Sequence, residues 1–83
     1  MPRRQRSDPK AIRFGAIIRR LREARGWTII QLARRAGMNP TYVGILEHGD
    51  NMPTLGAVIE LAIVLGANPG EIVNEVAGER NPS

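Results

Sequence analysis

The segment from Ile29 to His48 constrains the fold of this chain more than any other part of the sequence. It contains two short runs of helical periodicity, and Gly37 separates them. Glycine enters the left-handed backbone conformation of a tight turn at little cost. Asn39 and Pro40 follow as an N-cap and a first-turn proline, the usual start of a new helix. The segment therefore predicts two short helices packed against each other across a tight turn.

Caps and apolar spacing predict three further helices around this pair, and no strand pattern is present. The five predicted helices span residues 9–25, 29–36, 40–48, 55–65 and 69–77. Residues 1–8 are expected to be a flexible basic tail and residues 78–83 a frayed C-terminus. The fourth helix is expected to bury Leu55, Val58, Leu61, Ala62 and Leu65. The sequence thus predicts one all-α domain over residues 9–77, in which helices 2 and 3 form a helix-turn-helix.

The charge is distributed unevenly along the chain. Residues 1–35 hold eleven of the 12 Lys and Arg residues but only two of the 8 acidic residues. A concentrated positive charge favours a polyanionic partner, because clustered basic side chains displace the counterions condensed on phosphates. The alternative is an arginine-rich helix that is simply solvated. Beside a helix-turn-helix, which usually places its second helix in the major groove, double-stranded DNA is the expected partner.

Several classes of function are disfavoured by the residues that the sequence lacks. It has no cysteine and one histidine, so we expect no disulfide and no metal site. No apolar run reaches the length of a membrane span and no signal-peptide pattern occurs, which predicts a cytoplasmic protein without membrane contact. His48 has no nucleophile or metal ligand near it in sequence. We therefore expect no catalytic residue, no enzyme activity, no cofactor and no small-molecule effector.

Five sequence segments resemble those of one family of DNA-binding domains. They are R-x-L-R-E-A-R-G-W-T, Q-L-A-x-x-A-G-M, Y-V-x-x-L-E-x-G, P-T-L and L-A-x-x-L-G, in that order from residue 19 to residue 66. Their order and spacing resemble the lambda-repressor-like, or XRE-type, helix-turn-helix domains, over about residues 13–74. The resemblance implies a five-helix bundle that binds operator DNA, commonly as a homodimer.

One ion pair is expected from the resemblance and from electrostatics. In this family the arginine at the position of Arg22 commonly pairs with the glutamate at the position of Glu47. Glu47 lies near the C-terminus of a helix, where the helix dipole disfavours a carboxylate, and an arginine can neutralise it with two parallel hydrogen bonds. We expect this pair to be structural.

The surface expected to contact bases is the first half of helix 3. The expected residues are Asn39, Pro40, Thr41, Gly44 and Ile45, and Tyr42 among them is a further candidate for DNA contact. Family members often carry donor-rich side chains at these positions, whereas Pro40 and Gly44 have no side-chain donor and Ile45 offers only apolar contact, for instance to a thymine methyl group. Asn39 either contacts DNA or serves only as the helix cap, and Tyr42 either donates to a phosphate or packs on helix 2.

Contacts to the phosphate backbone are expected mainly from arginine. The residues expected to contribute are Arg19, Arg34, Arg35, Asn51 and Thr54, together with Arg3, Arg4 and Arg6 of the tail. The tail either reaches along the DNA as a basic arm or is a solubilising segment. This balance predicts mostly electrostatic affinity with little base specificity, and a steep loss of binding as salt rises.

Isoleucine recurs where family members are polar, at Ile17, Ile29, Ile30, Ile45 and Ile63. Several exposed apolar residues together indicate a contact surface. We expect a two-fold dimer interface on helix 5 and the edge of helix 4, formed by Ile59, Ile63, Ile72, Val73 and Val76. Alternatively, Ile72 and Val73 complete the monomer core.

Two functions follow from these expectations. The first is a DNA-binding transcriptional regulator, acting as a homodimer on a two-fold operator. The second is a protein–protein interaction module that keeps the helix-turn-helix fold, uses its isoleucine-rich helices 2 and 3, and binds DNA weakly or without sequence preference.

Overall fold

The computed structural model describes residues 8–78 as a bundle of five helices with no strand among them. The helices are α1 (Pro9–Ala24), α2 (Ile29–Ala36), α3 (Pro40–His48), α4 (Leu55–Leu65) and α5 (Pro69–Ala77). The predicted all-α architecture is confirmed, and α1 ends one residue earlier than predicted. Residues 1–7 of the predicted tail and residues 79–83 of the predicted frayed end lie outside the described residues.

The helices begin at side-chain caps. The Asp8 carboxylate accepts the Lys10 N–H at 2.8 Å, and this hydrogen bond lowers the pKa of Asp8. At α2, the Thr28 hydroxyl accepts the Gln31 N–H at 3.0 Å while the Gln31 side chain accepts the Thr28 N–H at 2.8 Å. Each cap satisfies backbone donors that have no partner inside the helix, so the polar residues at these positions fix where the helices start.

All five helices contribute residues to the core, and its largest fully buried side chains are Phe14, Ile18, Leu32, Val43, Leu46 and Leu61. Two predictions of burial are wrong. Leu55 is 71% exposed, because it is the first residue of α4, at the end of the helix, and the buried residues of α4 begin only at Ala57. Ile17 is 4% exposed, because α1 is covered by both α3 and α5 and therefore buries a wider face than one stripe.

The backbones of α1 and α3 approach each other closely at Gly15, a residue that sequence reasoning did not single out. A Cβ added there would lie 2.5 Å from the carbonyl oxygen of Glu47 and closer still to that of Leu46. A real Cβ atom makes no such contact, so a glycine is required at this crossing. An isolated glycine inside a helical pattern is the sequence signal that could have revealed it.

Several arginines of the basic half tie the helices together. The Arg13 Nε donates to the Val76 carbonyl at 2.8 Å, and the Arg25 Nε donates to the Leu65 carbonyl at 3.2 Å. Both acceptors lie at helix C-termini, where the dipole favours a cation. The Arg20 guanidinium also lies 3.3 Å from the Glu75 carboxylate. Part of the positive charge expected to face DNA therefore holds α4 and α5 against the rest of the bundle.

Within residues 8–78, no single helix is long and apolar enough to cross a membrane. Together α4 and α5 would meet that length and composition, but they are bent by 119° at their junction.

Candidate nucleic-acid interface

The turn between α2 and α3 sets the angle between these helices. Gly37 is in the left-handed region, with φ 68° and ψ 32°, and the Met38 N–H donates to the Ala33 carbonyl at 2.8 Å. This is the hydrogen-bonding pattern that closes a helix at a left-handed glycine. Ala33 and Val43 are fully buried in the core cluster, so small and β-branched side chains occupy the interior beside the turn.

Arg22 and Glu47 fix α3 to the rest of the domain. The Arg22 Nε and Nη2 donate to the two Glu47 carboxylate oxygens at 2.7 and 2.9 Å. The third nitrogen, Nη1, donates to the Trp27 carbonyl at 2.7 Å, just before α2 begins. The two side chains are 12% and 5% exposed, and the bond to Glu47 raises the pKa of Arg22. One guanidinium thus connects α1, the start of α2 and the end of α3.

The outer face of α3 carries few polar groups. Pro40 and Thr41 are exposed, whereas Gly44 and Ile45 are half-buried. A Cβ added at Gly44 would meet nothing within 4 Å, so this surface of α3 is open. The Asn39 side-chain oxygen accepts the Thr41 N–H at 2.7 Å, so Asn39 acts as a cap and its NH₂ group is left to donate elsewhere. Tyr42 is half-buried and packs against the core.

The residues around α3 differ in what they can offer a phosphate. Arg34 and Asn51 are exposed. The Thr54 hydroxyl accepts the Ala57 N–H at 3.0 Å, which leaves its own proton to be donated. Ile29 packs against the core, while Ile30 beside it is 55% exposed.

Two of the predicted phosphate ligands already interact with neighbouring side chains. The Arg19 Nε lies 3.1 Å from a Glu23 carboxylate oxygen, and both side chains are more than half exposed. The Arg35 guanidinium stacks 4.4 Å from the centre of the Trp27 ring, where Arg25 also lies at 5.2 Å. Stacking leaves the guanidinium N–H groups free at the ring's edge and limits the side chain's motion.

Arg19 lies on the same side of the domain as the open surface of α3. A shallow cavity of about 230 Å³ is lined by Arg19, Arg22, Ile29, Gly44, Glu47 and His48. His48 is exposed and its Nδ1 lies 3.3 Å from an Asp50 carboxylate oxygen. Arg19 and Gly44 therefore line the same hollow, which extends to Glu47 and His48 at the end of α3.

The five residues predicted for a dimer interface separate into two groups. Ile59, Ile63 and Val73 are 37%, 61% and 49% exposed. Ile72 is 3% exposed and belongs to the core, so its assignment to an interface is wrong, and Val76 packs partly against the same core. Sequence reasoning did not assign Leu55 to this interface, because it expected Leu55 to be buried in the core. Leu55 is exposed and continues the spacing of Ile59 and Ile63 along α4.

Comparison with known proteins gave a matching family model and similar solved structures. Residues 13–75 match the family model described as "Helix-turn-helix domain". The restriction-modification controller protein C.AhdI from Aeromonas hydrophila superimposes with a TM-score of 0.74 at 32% identity, covering 78% of this chain and 98% of that one. The clp gene regulator ClgR from C. glutamicum gives 0.74 at 26% identity, covering 89% and 96%.

A third solved structure, the hypothetical transcription factor NHTF from Neisseria, has a TM-score of 0.72 at 23% identity and covers 87% of this chain and 85% of that one. At that identity the likeness supports the fold alone. A search of curated protein sequences gave no match.

Proposed function

This chain belongs to the helix-turn-helix domain family, and from that premise we propose that it is a transcriptional regulator that binds operator DNA as a homodimer. In the proposed complex α3 enters the major groove and presents Asn39, Thr41 and Ile45 to the base edges. Arg19, Arg34, Arg35, Asn51 and Thr54 contact the flanking phosphates. Under this proposal the chain catalyses no reaction and binds its DNA in the cytoplasm.

The observation that carries the proposal is the way in which α3 is held. Arg22 and Glu47 anchor its inner side to α1 and to the start of α2, while its outer side is open at Gly44. A helix held rigidly on one side and bare on the other is suited to insertion into a groove that is about 12 Å wide. Regulators among the structural neighbours support the same conclusion.

The homodimer is proposed from the exposed apolar residues of α4 and α5. Ile59, Ile63 and Val73 would form a patch that meets its own copy across a two-fold axis. Two copies of α3 would then contact half-sites one helical turn apart, about 34 Å. Replacing Ile63 by Asp places a charge in this patch, so a monomer in sedimentation where the wild type is a dimer would support the assignment. A wild type that stays monomeric at high micromolar concentration would contradict it.

A second candidate function is a protein-interaction module, and the exposure of Ile30 favours it. Ile30 is 55% exposed on α2 beside α3. Contact with a protein partner that covers this side chain would account for an isoleucine there. The regulator is preferred, because Arg34 and Arg35 lie on the same short helix as exposed cations.

Titration of the full chain with DNA separates the two functions. Fluorescence anisotropy at low and moderate salt compares the affinity of the chain for two duplexes. One is recovered from a random pool by binding to the protein, and the other has a random sequence. The regulator should prefer the recovered duplex by at least about tenfold at moderate salt. Arg34→Ala should weaken binding, whereas Arg20→Ala, a matched exposed arginine that pairs with Glu75, should not. Equal affinity for both duplexes would support the interaction module instead.

A further inference from the structure

The part of α3 that would enter the groove is mostly apolar. Pro40 and Gly44 contribute no side-chain hydrogen-bonding group, and the Ile45 side chain ends in methyl groups. The Asn39 side-chain oxygen is already used by the Thr41 N–H. Tyr42 is half-buried against the core. The hydroxyl of Thr41 and the NH₂ group of Asn39 are therefore the exposed polar groups that the start of α3 can present to bases.

Helix geometry brings the apolar groups together. Thr41 and Ile45 are one turn apart, so they are neighbours on the helix surface. Helical side chains lean towards the N-terminus, so Ile45 covers the turn that carries Thr41 and its methyl group. Beside them, a Cβ added at Gly44 would meet nothing within 4 Å. The result is an apolar surface next to a stretch of bare backbone.

We propose that Ile45, Thr41 and Gly44 recognise the C5-methyl group of a pyrimidine in the major groove, an inference that rests on the DNA-binding function proposed above. The C5-methyl group of thymine is the apolar group that B-DNA presents in this groove, and 5-methylcytosine carries a methyl at the same position. Bare backbone at Gly44 allows α3 to approach the base edges closely. Sequence preference at this position then comes from burial of a methyl group by Ile45 rather than from a hydrogen bond.

Replacing thymine by deoxyuridine tests this, because the two bases differ only in the methyl group. A duplex recovered from a random pool is synthesised with thymine or with uracil at each thymine position in turn. Removing a contacted methyl should weaken binding of the full chain about fourfold. A second pair of duplexes carries 5-methylcytosine or cytosine at that position and shows which methylated base is recognised. Tighter binding of the 5-methylcytosine duplex supports recognition of both methylated pyrimidines. Equal binding of the two duplexes limits the proposal to thymine.

Variants at position 45 connect the effect to this side chain. Ile45→Ala should bind the thymine and uracil duplexes equally, while Ile45→Val should keep most of the difference. Ile12→Ala is the matched control, because Ile12 is 51% exposed on α1; it should keep the full difference. Equal affinity of the wild type for thymine and uracil at every position would overturn the inference while leaving DNA binding intact. A pool that yields no preferred sequence would overturn both the inference and the proposed function.

Discussion

A Gly→Ala substitution should lower the free energy of unfolding at Gly15 and raise it at Gly44. Gly15 and Gly44 both lie inside helices, so Ala has the higher intrinsic helix propensity at both, by about 0.8–1 kcal/mol. At Gly44 the new Cβ meets nothing within 4 Å. At Gly15 it would lie 2.5 Å from the Glu47 carbonyl oxygen and 2.8 Å from the Glu47 carbonyl carbon, where ordinary contact begins at 3.4 Å. The Gly15 variant must therefore push α3 about 1 Å away from α1.

This displacement has a calculable effect on the free energy of unfolding. Overpacking typically costs about 1–3 kcal/mol, and overlap with backbone atoms of a second helix belongs at the upper end. After the gain in helix propensity, Gly15→Ala should lose about 2 kcal/mol. For a domain of this size that lowers Tm by about 8–16 °C. Gly44→Ala should gain up to about 1 kcal/mol and raise Tm by several degrees.

Thermal unfolding followed by circular dichroism at 222 nm, together with urea denaturation, measures both variants. Equal Tm values for Gly15→Ala and the wild type would refute the close approach of α1 and α3. A decrease for Gly44→Ala as large as that for Gly15→Ala would refute the open surface on α3.

Three further predictions concern the ion pair, pH and salt. Replacing Arg22 or Glu47 alone by Ala should destabilise the domain by about 3 kcal/mol in urea denaturation, because one buried charge is left without a partner. The double variant Arg22→Met with Glu47→Leu should lose less stability than either single variant, because it leaves no unpaired charge. A double variant less stable than both single variants would contradict this. The Asp8 hydrogen bond lowers the pKa of that carboxyl in the folded state, so its contribution is present above the unfolded pKa and is lost as pH falls through the folded value. NMR titration of the Asp8 carboxyl should give a midpoint below the ordinary 3.8, and a midpoint above it would contradict the cap. With Arg19, Arg34 and Arg35 on phosphates in each subunit of a dimer, the logarithm of the DNA association constant should fall with the logarithm of salt concentration with a slope of about −5 or steeper; a slope near zero would contradict the phosphate contacts.

The helices were predictable because their starts and stops are encoded locally. Thr28, Asn39 and Thr54 each place a side-chain oxygen at a helix start. Gly37 ends α2 and Gly49 ends α3, both in the left-handed conformation. Such signals depend on a few adjacent residues, so they can be recognised without knowledge of the tertiary structure.

Contacts between helices were predictable only in part. The pairing of Arg22 with Glu47 followed from the family resemblance and from the dipole of α3. The burial of Ile17 and Ile72 and the exposure of Leu55 depend on how many neighbours cover each helix, which helical periodicity alone does not give. The sequence also could not show that Arg13 and Arg25 are occupied at helix C-termini, so it overstated the charge available to DNA.

Insertion of α3 into the major groove is the central claim, and site-directed DNA cleavage tests it most directly. The chain has no cysteine, so Thr41→Cys introduces a unique thiol on the exposed start of α3 that can carry an iron–EDTA group. Glu60→Cys, exposed on α4, is the control. With the recovered duplex saturated by protein, the reagent at position 41 should cut at discrete positions within each half-site, and the reagent at position 60 should not. Uniform cutting from position 41, or stronger cutting from position 60, would contradict the proposed docking of α3.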